Sequence, residues 1–307
     1  MNSNDKSIRE ILEFYFTYKK FFLFILFLTL IFSILFSISK QNIYKSEAVL
    51  APSMPQDKIT SSLSNYSNLA SITGINIPQE NTNLSQEALK RMQSYEFFSK
   101  HFLPDIKLEN LMAAKKWDPL TNTVSYDESI YDELEKQWVR KVKFPRKSMP
   151  SDQEAYKVYK KIFNVSVDRR TSFVSLSMEH ISSTHAQKWL EIIINNVNYS
   201  MRQNDINRAE KSILFLSEYA KSTNLQSLKD SISSVLESEM RTLMLASTNE
   251  DYVYKLIQPP YAQEEKFKPE RLKIILISMF IGFIIAVFII PIFHFLKKNE
   301  YEESSSI

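Results

Sequence analysis

The sequence predicts an α+β membrane protein: two transmembrane helices flank a soluble body that has short strands at both ends and a long helical extension. Three observations predict it. Two uncharged apolar runs stand near the two ends of the 307-residue chain. The stretch after the first run and the stretch before the second alternate as strands do. Between them, apolar residues keep helical spacing from Ser183 to Ala246.

The first run, "FFLFILFLTLIFSILFSIS" (Phe21 to Ser39), has only Thr29, Ser33, Ser37 and Ser39 as polar interruptions. It meets the length of about 20 residues that a hydrocarbon core demands. A cleaved signal peptide is the alternative, but its apolar core is shorter, and no small-x-small site follows in "KQNIYKSEAVLAP". The second run, "IILISMFIGFIIAVFIIPIFHF" (Ile274 to Phe295), is apolar all round and ends at Lys297 and Lys298, which argues against a buried core helix. Two spans place both termini on one side. Six basic residues flank the outer ends of the spans (Lys6, Arg9, Lys19, Lys20, Lys297, Lys298), and six flank the inner ends (Lys40, Lys45, Lys266, Lys268, Arg271, Lys273). That tie leaves orientation open, with Lys19 and Lys20 leaning toward a cytoplasmic N-terminus.

The body is expected over residues 40–272, long enough for a core of its own. "NIYKSEAVLAPS" opens it as a strand, with Tyr44, Ser46, Ala48 and Leu50 on one face. The Ser/Asn-rich "QDKITSSLSNYSNLASITGINIPQENTN" reads as a loop with at most a short helix. Three amphipathic helices follow: "SQEALKRMQSYEFFSKHFL", with Ser85 placed to cap it; "DESIYDELEKQWVRKV", with Asp127 as its cap; and "SDQEAYKVYKKIF", with Ser151 as its cap. "NVSVDRRTSFVSLSMEH" alternates on both sides of the turn-like "DRRTS" and is the best hairpin in the chain. Ile206, Ala209, Ile213, Leu216 and Ala220 then repeat at 3-4 spacing. Leu225, Leu228, Ile232 and Val235 resume it after "STN", at a kink or a tight turn. A continuous helix over 183–246 would be roughly 95 Å long. That length suggests a stalk or packing against other copies, with a bundle inside one chain as the alternative. "DYVYKLIQ" (Asp251 to Gln258) is the closing strand.

Chemistry is sparse. There is no cysteine, so disulfides, thiolate metal sites and a cysteine nucleophile are excluded. With Gly74 and Gly282 alone, no glycine-rich phosphate loop exists. Of the histidines His101, His180, His185 and His294, only His180 and His185 are near neighbours, and they straddle a helix start in poor metal geometry. A net charge of +3 is too mild to argue for nucleic acid. We expect no catalytic residues, no cofactor and no metal. The N-x-S triplets at Asn65, Asn164 and Asn198 carry little. The basic run Arg140, Lys141, Lys143 and Arg146 reads as a solvated face. A receptor would need an output module, and "KKNEYEESSSI" after the second span does not supply one.

Two segments carry positional meaning. In "QPPYAQEEKFKPERLK" (residues 258–273), Pro259, Pro260 and Pro269 remove amide donors and pre-set φ, so the connector before the second span is an extended, semi-rigid coupling. In the span itself, Ser278, Gly282 and Ala286 recur at i, i+4 and i+8, a stripe suited to close helix packing.

In order, the chain has a span, "IYKSEAVLAPS", "NLASITGI", "SQEALKRMQSYEFFSKHF", "KKWDP", a strand hairpin, a long helix, "YVYKLIQPP…KP" and a second span. That ordered set resembles the Wzz-type polysaccharide co-polymerases, the chain-length determinants of bacterial surface polysaccharides. The likeness covers about residues 8–298. It implies inner-membrane proteins with a cytoplasmic N-terminus (1–20), a span (21–39), a periplasmic α/β co-polymerase domain (40–272), a second span (273–296) and a cytoplasmic tail (297–307). It also implies a homo-oligomer that performs no chemistry and acts with a Wzy-type polymerase on an undecaprenyl-linked glycan, among membrane lipids. The runner-up is an inner-membrane adaptor of capsule or exopolysaccharide export. One departure stands out: Pro260 occupies the family's usual alanine, and Gln263 and Lys266 replace two prolines. The tail has no Walker motif or tyrosine cluster, which sets the chain apart from the fused-kinase branch.

Overall fold

The computed structural model describes residues 15–53 and 84–304, the side chains through 292. The loop expected over 56–83, with Asn65 and Gly74, lies outside the described residues, as does the side chain of His294. The chain divides into two units, one formed by Met1–Asn42 and Lys266–Ile307, the other by Ile43–Glu265.

The first unit is a pair of helices, α1 (Lys19–Ser39) and, at the other end of the chain, α8 (Arg271–Ser304). Lys19–Ser39 and Arg271–Ile292 are each long and apolar enough to cross a membrane, with mean hydropathy of 2.9 and 3.0. Apolar side chains cover their outer faces: Phe32, Leu35, Phe280 and Phe288 are all exposed. A helix that is greasy outward and packed on only one side suits lipid rather than water.

The second unit is built on a four-stranded antiparallel sheet in the order β6 (Phe163–Val167), β7 (Val174–His180), β1 (Tyr44–Pro52), β8 (Tyr254–Gln258). β1 therefore has a partner on both edges, Tyr44 facing His180 at one end of its ladder with β7 and Leu50 facing Val174 at the other. Its pairing with β8 shifts register between Val49 and Leu50. Period-two alternation buries one face: Ser46, Ala48 and Leu50 from β1, with Val174, Leu176, Met178 and His180 from β7. Onto that face lies the first half of α6 (Ser183–Ser222), through Ala186, Trp189, Leu190, Ile193, Val197 and Met201. Ser182 caps this helix by accepting from the His185 amide (3.3 Å).

α6 does not continue through "STN". Thr223–Leu225 leave the helical conformation, and α7 (Gln226–Thr248) packs back along α6. The tight turn is thus the outcome, with a 40-residue first arm of about 60 Å. Asn198 on α6 joins this hairpin to the sheet. Its Nδ2 donates to the Tyr254 carbonyl (2.9 Å), and its Oδ1 accepts from the amides of Val253 and Tyr254 (3.0 Å each). That buried side chain is thus bonded through both its amide nitrogen and its amide oxygen. Beside it, Tyr252 donates to Asp205 (2.6 Å).

Two expected helices are corrected. The segment "SQEALKRMQSYEFFSKHFL" is broken: α2 (Leu84–Met92) stops, Ser94 caps a new start at α3 (Tyr95–Phe97), and a π-helical turn follows at Phe98–Phe102. Ser85 lies inside α2 and does not precede it. The break persists because carbonyls freed there find tertiary donors. Tyr159 Oη donates to the Met92 carbonyl (2.8 Å), and Tyr156 Oη to that of Gln93. Phe98, Phe102, Tyr159 and Trp189 then pack as one aromatic cluster. Both tyrosines come from α5 (Asp152–Ile162), the helix that Ser151 and Glu154 start with a complete capping box.

The second correction is "DESIYDELEKQWVRKV", which is not helical. It forms turns around a two-residue ladder, β4 (Tyr131–Asp132) with β5 (Gln137–Trp138). Its acids act locally: Asp127 Oδ1 accepts from the Ser129 amide and hydroxyl, and Asp132 Oδ1 from the amides of Leu134 and Glu135. Tyr131, set between Tyr126 and Trp138, fixes the ladder. A further hairpin, β2 (Ala114–Asp118) with β3 (Thr123–Tyr126), has no counterpart in the expectations from sequence. The basic run after β5 is partly neutralised, since Arg140 and Arg146 both pair with Glu154 (2.5 and 3.6 Å) while Lys141 and Lys143 stay exposed.

Asn198→Ala strands two buried amides and one carbonyl, so unfolding of the full chain is expected to lose about 3 kcal/mol. A denaturation midpoint equal to wild type would show that water replaces the side chain.

Candidate functional site

The richest polar constellation in the second unit gathers where β7 ends and α6 begins. It draws on α4 (Leu108–Met112) and on the two strands of the β2–β3 hairpin. His180 is buried at the end of β7. Its Nε2–H donates to the Asn110 carbonyl (2.9 Å), and its Nδ1 accepts from the Ser182 amide (3.1 Å), so the tautomer is set from both sides. Burial lowers its pKa to about 4. His185 sits in the first turn of α6, with the two imidazole centroids 5.5 Å apart and both rings against Trp189.

Asn110 connects the histidines. Its Oδ1 accepts from Tyr126 Oη (2.6 Å), which orients the amide so that Nδ2 donates to His185 Nε2 (2.9 Å). His185 then carries its proton on Nδ1 and gives it to Ser182 Oγ (2.9 Å). Ser182 Oγ lies 2.9 Å from Thr184 Oγ1, and Thr184 donates to Asn122 Oδ1 (2.7 Å), which also accepts from Trp117 Nε1 (3.0 Å). The relay from Tyr126 to Trp117 satisfies each member in turn and needs both imidazoles neutral. Burial lowers the His185 pKa, and the charges of Lys188 and Lys107 lower it further.

Beside this network is a cavity of about 390 Å³. Pro104, Ile106, Ile192 and Trp189 form its apolar wall. Asn110 and His185 sit among them, with Lys107, Lys188 and Asp105 completing the lining. Asp105 is engaged by Asn196 Nδ2 (2.7 Å), whereas neither lysine has an ion pair among the described residues. Sequence spacing brought out the two histidines and missed Asn110, Tyr126, Asn122 and both lysines. Nothing in the local pattern marks those residues, because tertiary packing alone joins them. Among the described residues, no three His, Asp or Glu side chains converge as metal ligands.

The stripe in the second apolar helix packs against α1. Gly282 and Ala286 are buried and Ser278 is half-buried. A Cβ built on Gly282 would stand 2.4 Å from Thr29 Oγ1, so only hydrogen fits at that crossing. Phe22 meets Phe283 edge-on (centroids 5.7 Å apart), and Tyr15 Oη donates to the Val287 carbonyl (2.8 Å). Ser33 and Ser37, both buried on α1, have no hydrogen-bond partner among the described residues. Of the connector prolines, Pro259 is exposed, Pro260 buried and Pro269 half-buried. The connector is tied to the sheet where Ser46 Oγ donates to the Tyr261 carbonyl (2.9 Å). The boundary between the two units falls inside it, at Glu265/Lys266.

No family model matches the sequence, and no curated protein matches it. Among solved structures, the chain is similar to a full-length bacterial polysaccharide co-polymerase at 10% identity, with 94% of this chain and 97% of that one covered and a TM-score of 0.39. It is also similar to a fragment of WzzB, the polysaccharide co-polymerase from Salmonella Typhimurium. There the identity is 14%, the cover 74% and 100%, and the TM-score 0.28.

His180 generates a pH dependence. Its folded pKa is depressed below the unfolded value of about 6.5, so its share of stability is complete above that pH. It is lost as pH falls toward 4, by roughly 3 kcal/mol over the whole window. Urea unfolding of wild type and His180→Gln between pH 7 and 4 should show a steeper loss of stability in wild type, with His185 contributing equally to both. Equal slopes would assign the acid sensitivity to other groups.

Proposed function

We propose that the chain is a non-enzymatic regulator of chain length in bacterial surface polysaccharide biosynthesis of the O-antigen type. It acts as a homo-oligomer in the inner membrane, with both termini cytoplasmic, residues 40–272 periplasmic and a Wzy-type polymerase as partner. The observation that carries this reading is the closure of the body at its membrane ends. β1, which starts five residues after Ser39, pairs directly with β8, the last strand before the connector and the second apolar helix. A body so closed carries a long helical hairpin between its ends, in the order that the resemblance to the co-polymerases requires.

The hairpin supports self-association. Leu214, Phe215 and Tyr219 on α6, and Val235, Met240 and Met244 on α7, are exposed large apolar side chains on helices that one chain leaves partly uncovered. The polymerase would be met within the membrane, where the Thr29–Gly282 crossing sets the spacing of the two spans.

Deletion of the gene, followed by electrophoresis of the surface polysaccharide, tests the reading. Loss of the modal length with polymerisation retained is the expected result. Complete loss of surface polymer would favour an export adaptor instead. Gly282→Leu, which forces the spans apart at Thr29, is expected to shift the modal length while oligomers still form. An unchanged ladder of glycan sizes would remove the spans from length control.

A further inference from the structure

We infer that the cavity between α4 and the first turns of α6 is a binding site for a phosphorylated sugar. The phosphate sits between Lys107 and Lys188, and the sugar lies on the wall formed by Ile106 and Ile192. Four features of the cavity point to this class of ligand. Its volume, about 390 Å³, is in the range of sites that hold small organic ligands and exceeds what a bare phosphate fills. Its cations are lysines and no arginine lines it; ammonium groups serve phosphate as point charges, whereas planar carboxylates are best held by the guanidinium fork. Both ammonium groups act on the same imidazole, His185, so their fields converge on one place. Neither is neutralised by an ion pair among the described residues, and the one acid of the lining, Asp105, is turned to Asn196.

Asn110 and His185 supply orientation. The Asn110 amide spends one N–H on His185 Nε2 and keeps a second, with no partner among the described residues, in a side chain that lines the cavity. Burial is the main cause of the lowered His185 pKa, and an anion between the lysines would cancel the further lowering that their charges add. Ligand occupancy should therefore be legible in the titration of that imidazole, while His180, buried deeper behind Asn110, changes little.

The phosphate could belong to a lipid-borne headgroup or to a soluble sugar phosphate, since β1, whose Tyr44 pairs with His180, follows the first apolar helix after four residues of chain. The assignment rests on the reading above for the source of the ligand and on the cavity alone for its chemistry. Binding in vitro and polymer length in cells therefore fail separately.

The experiment uses the full chain in lipid nanodiscs with labelled histidine. Only four histidines are present, so the His185 and His180 signals can be assigned by substitution. Glucose 1-phosphate is titrated into phosphatidylcholine discs, and a parallel sample carries phosphatidylglycerol with no soluble ligand. A rise in the His185 pKa with glucose 1-phosphate identifies a soluble-type ligand, and a rise in phosphatidylglycerol discs alone identifies a lipid headgroup; either supports the site. Lys107→Gln/Lys188→Gln, at two exposed positions, should weaken the effect ten-fold or more with the His180 signal unmoved, which reports an intact fold. No movement of His185 with either probe at millimolar concentration overturns the proposal. So does an undiminished response in the double variant.

Discussion

Everything between the two apolar helices depends on β1 having partners on both edges. The strand takes β7 on one side and β8 on the other, so the first and last strands of the body are neighbours although about two hundred residues separate them. Closing so long a loop is entropically unfavourable, though the cost grows only with the logarithm of its length. It is offset by a buried face on which Ala48, Leu50, Leu176, Met178 and Tyr254 lose all contact with water. Asn198 reinforces the closure at the end of the β1–β8 ladder opposite its register shift, binding three backbone groups at the start of β8. Without β1 in the middle, α6 would have no sheet to lie on, and its apolar first half could not be told from its exposed second half.

That division runs through one helix. From Ala186 to Met201 one face of α6 is core. Beyond Ala209 it packs along α7, and Leu214 and Phe215 are 72% and 67% exposed. The base therefore holds the specific, satisfied polar contacts, and the extension holds uncommitted apolar surface. Specificity and stickiness are separated along the chain.

Much of the frame was legible in the sequence, and the reasons are local. "IYKSEAVLAPS" and "SFVSLSMEH" alternate because each has one wet and one dry face, so period two survives in the letters. Ser151 before "DQEAYKVYKKIF" announced a helix start, because a capping side chain acts within its own first turn. Failures occurred where distant groups decide. The break after Met92 is held by tyrosines more than sixty residues on, and no local rule places them there. Asp127 and Asp132 suit a helix start and an Asx turn equally, and the packing of Tyr131 against Tyr126 and Trp138 selected the turn. The site followed the same division. His180 and His185 were visible as a spaced pair, but the asparagine that joins them lies seventy residues earlier, and the lysines flanking the cavity look like any other surface charge.

The attachment of the connector has a mechanical meaning. Because β1 and β8 are antiparallel, the first apolar helix and the connector leave from the same end of their shared ladder. A force that separates the two attachments opens that ladder one rung at a time from Val49 and Gln258, and does not shear all its bonds together. The hydrogen bond from Ser46 to the Tyr261 carbonyl lies beyond the last rung, on the side where peeling starts. It works as a latch: while it holds, tension from the connector passes straight into the middle strand of the sheet.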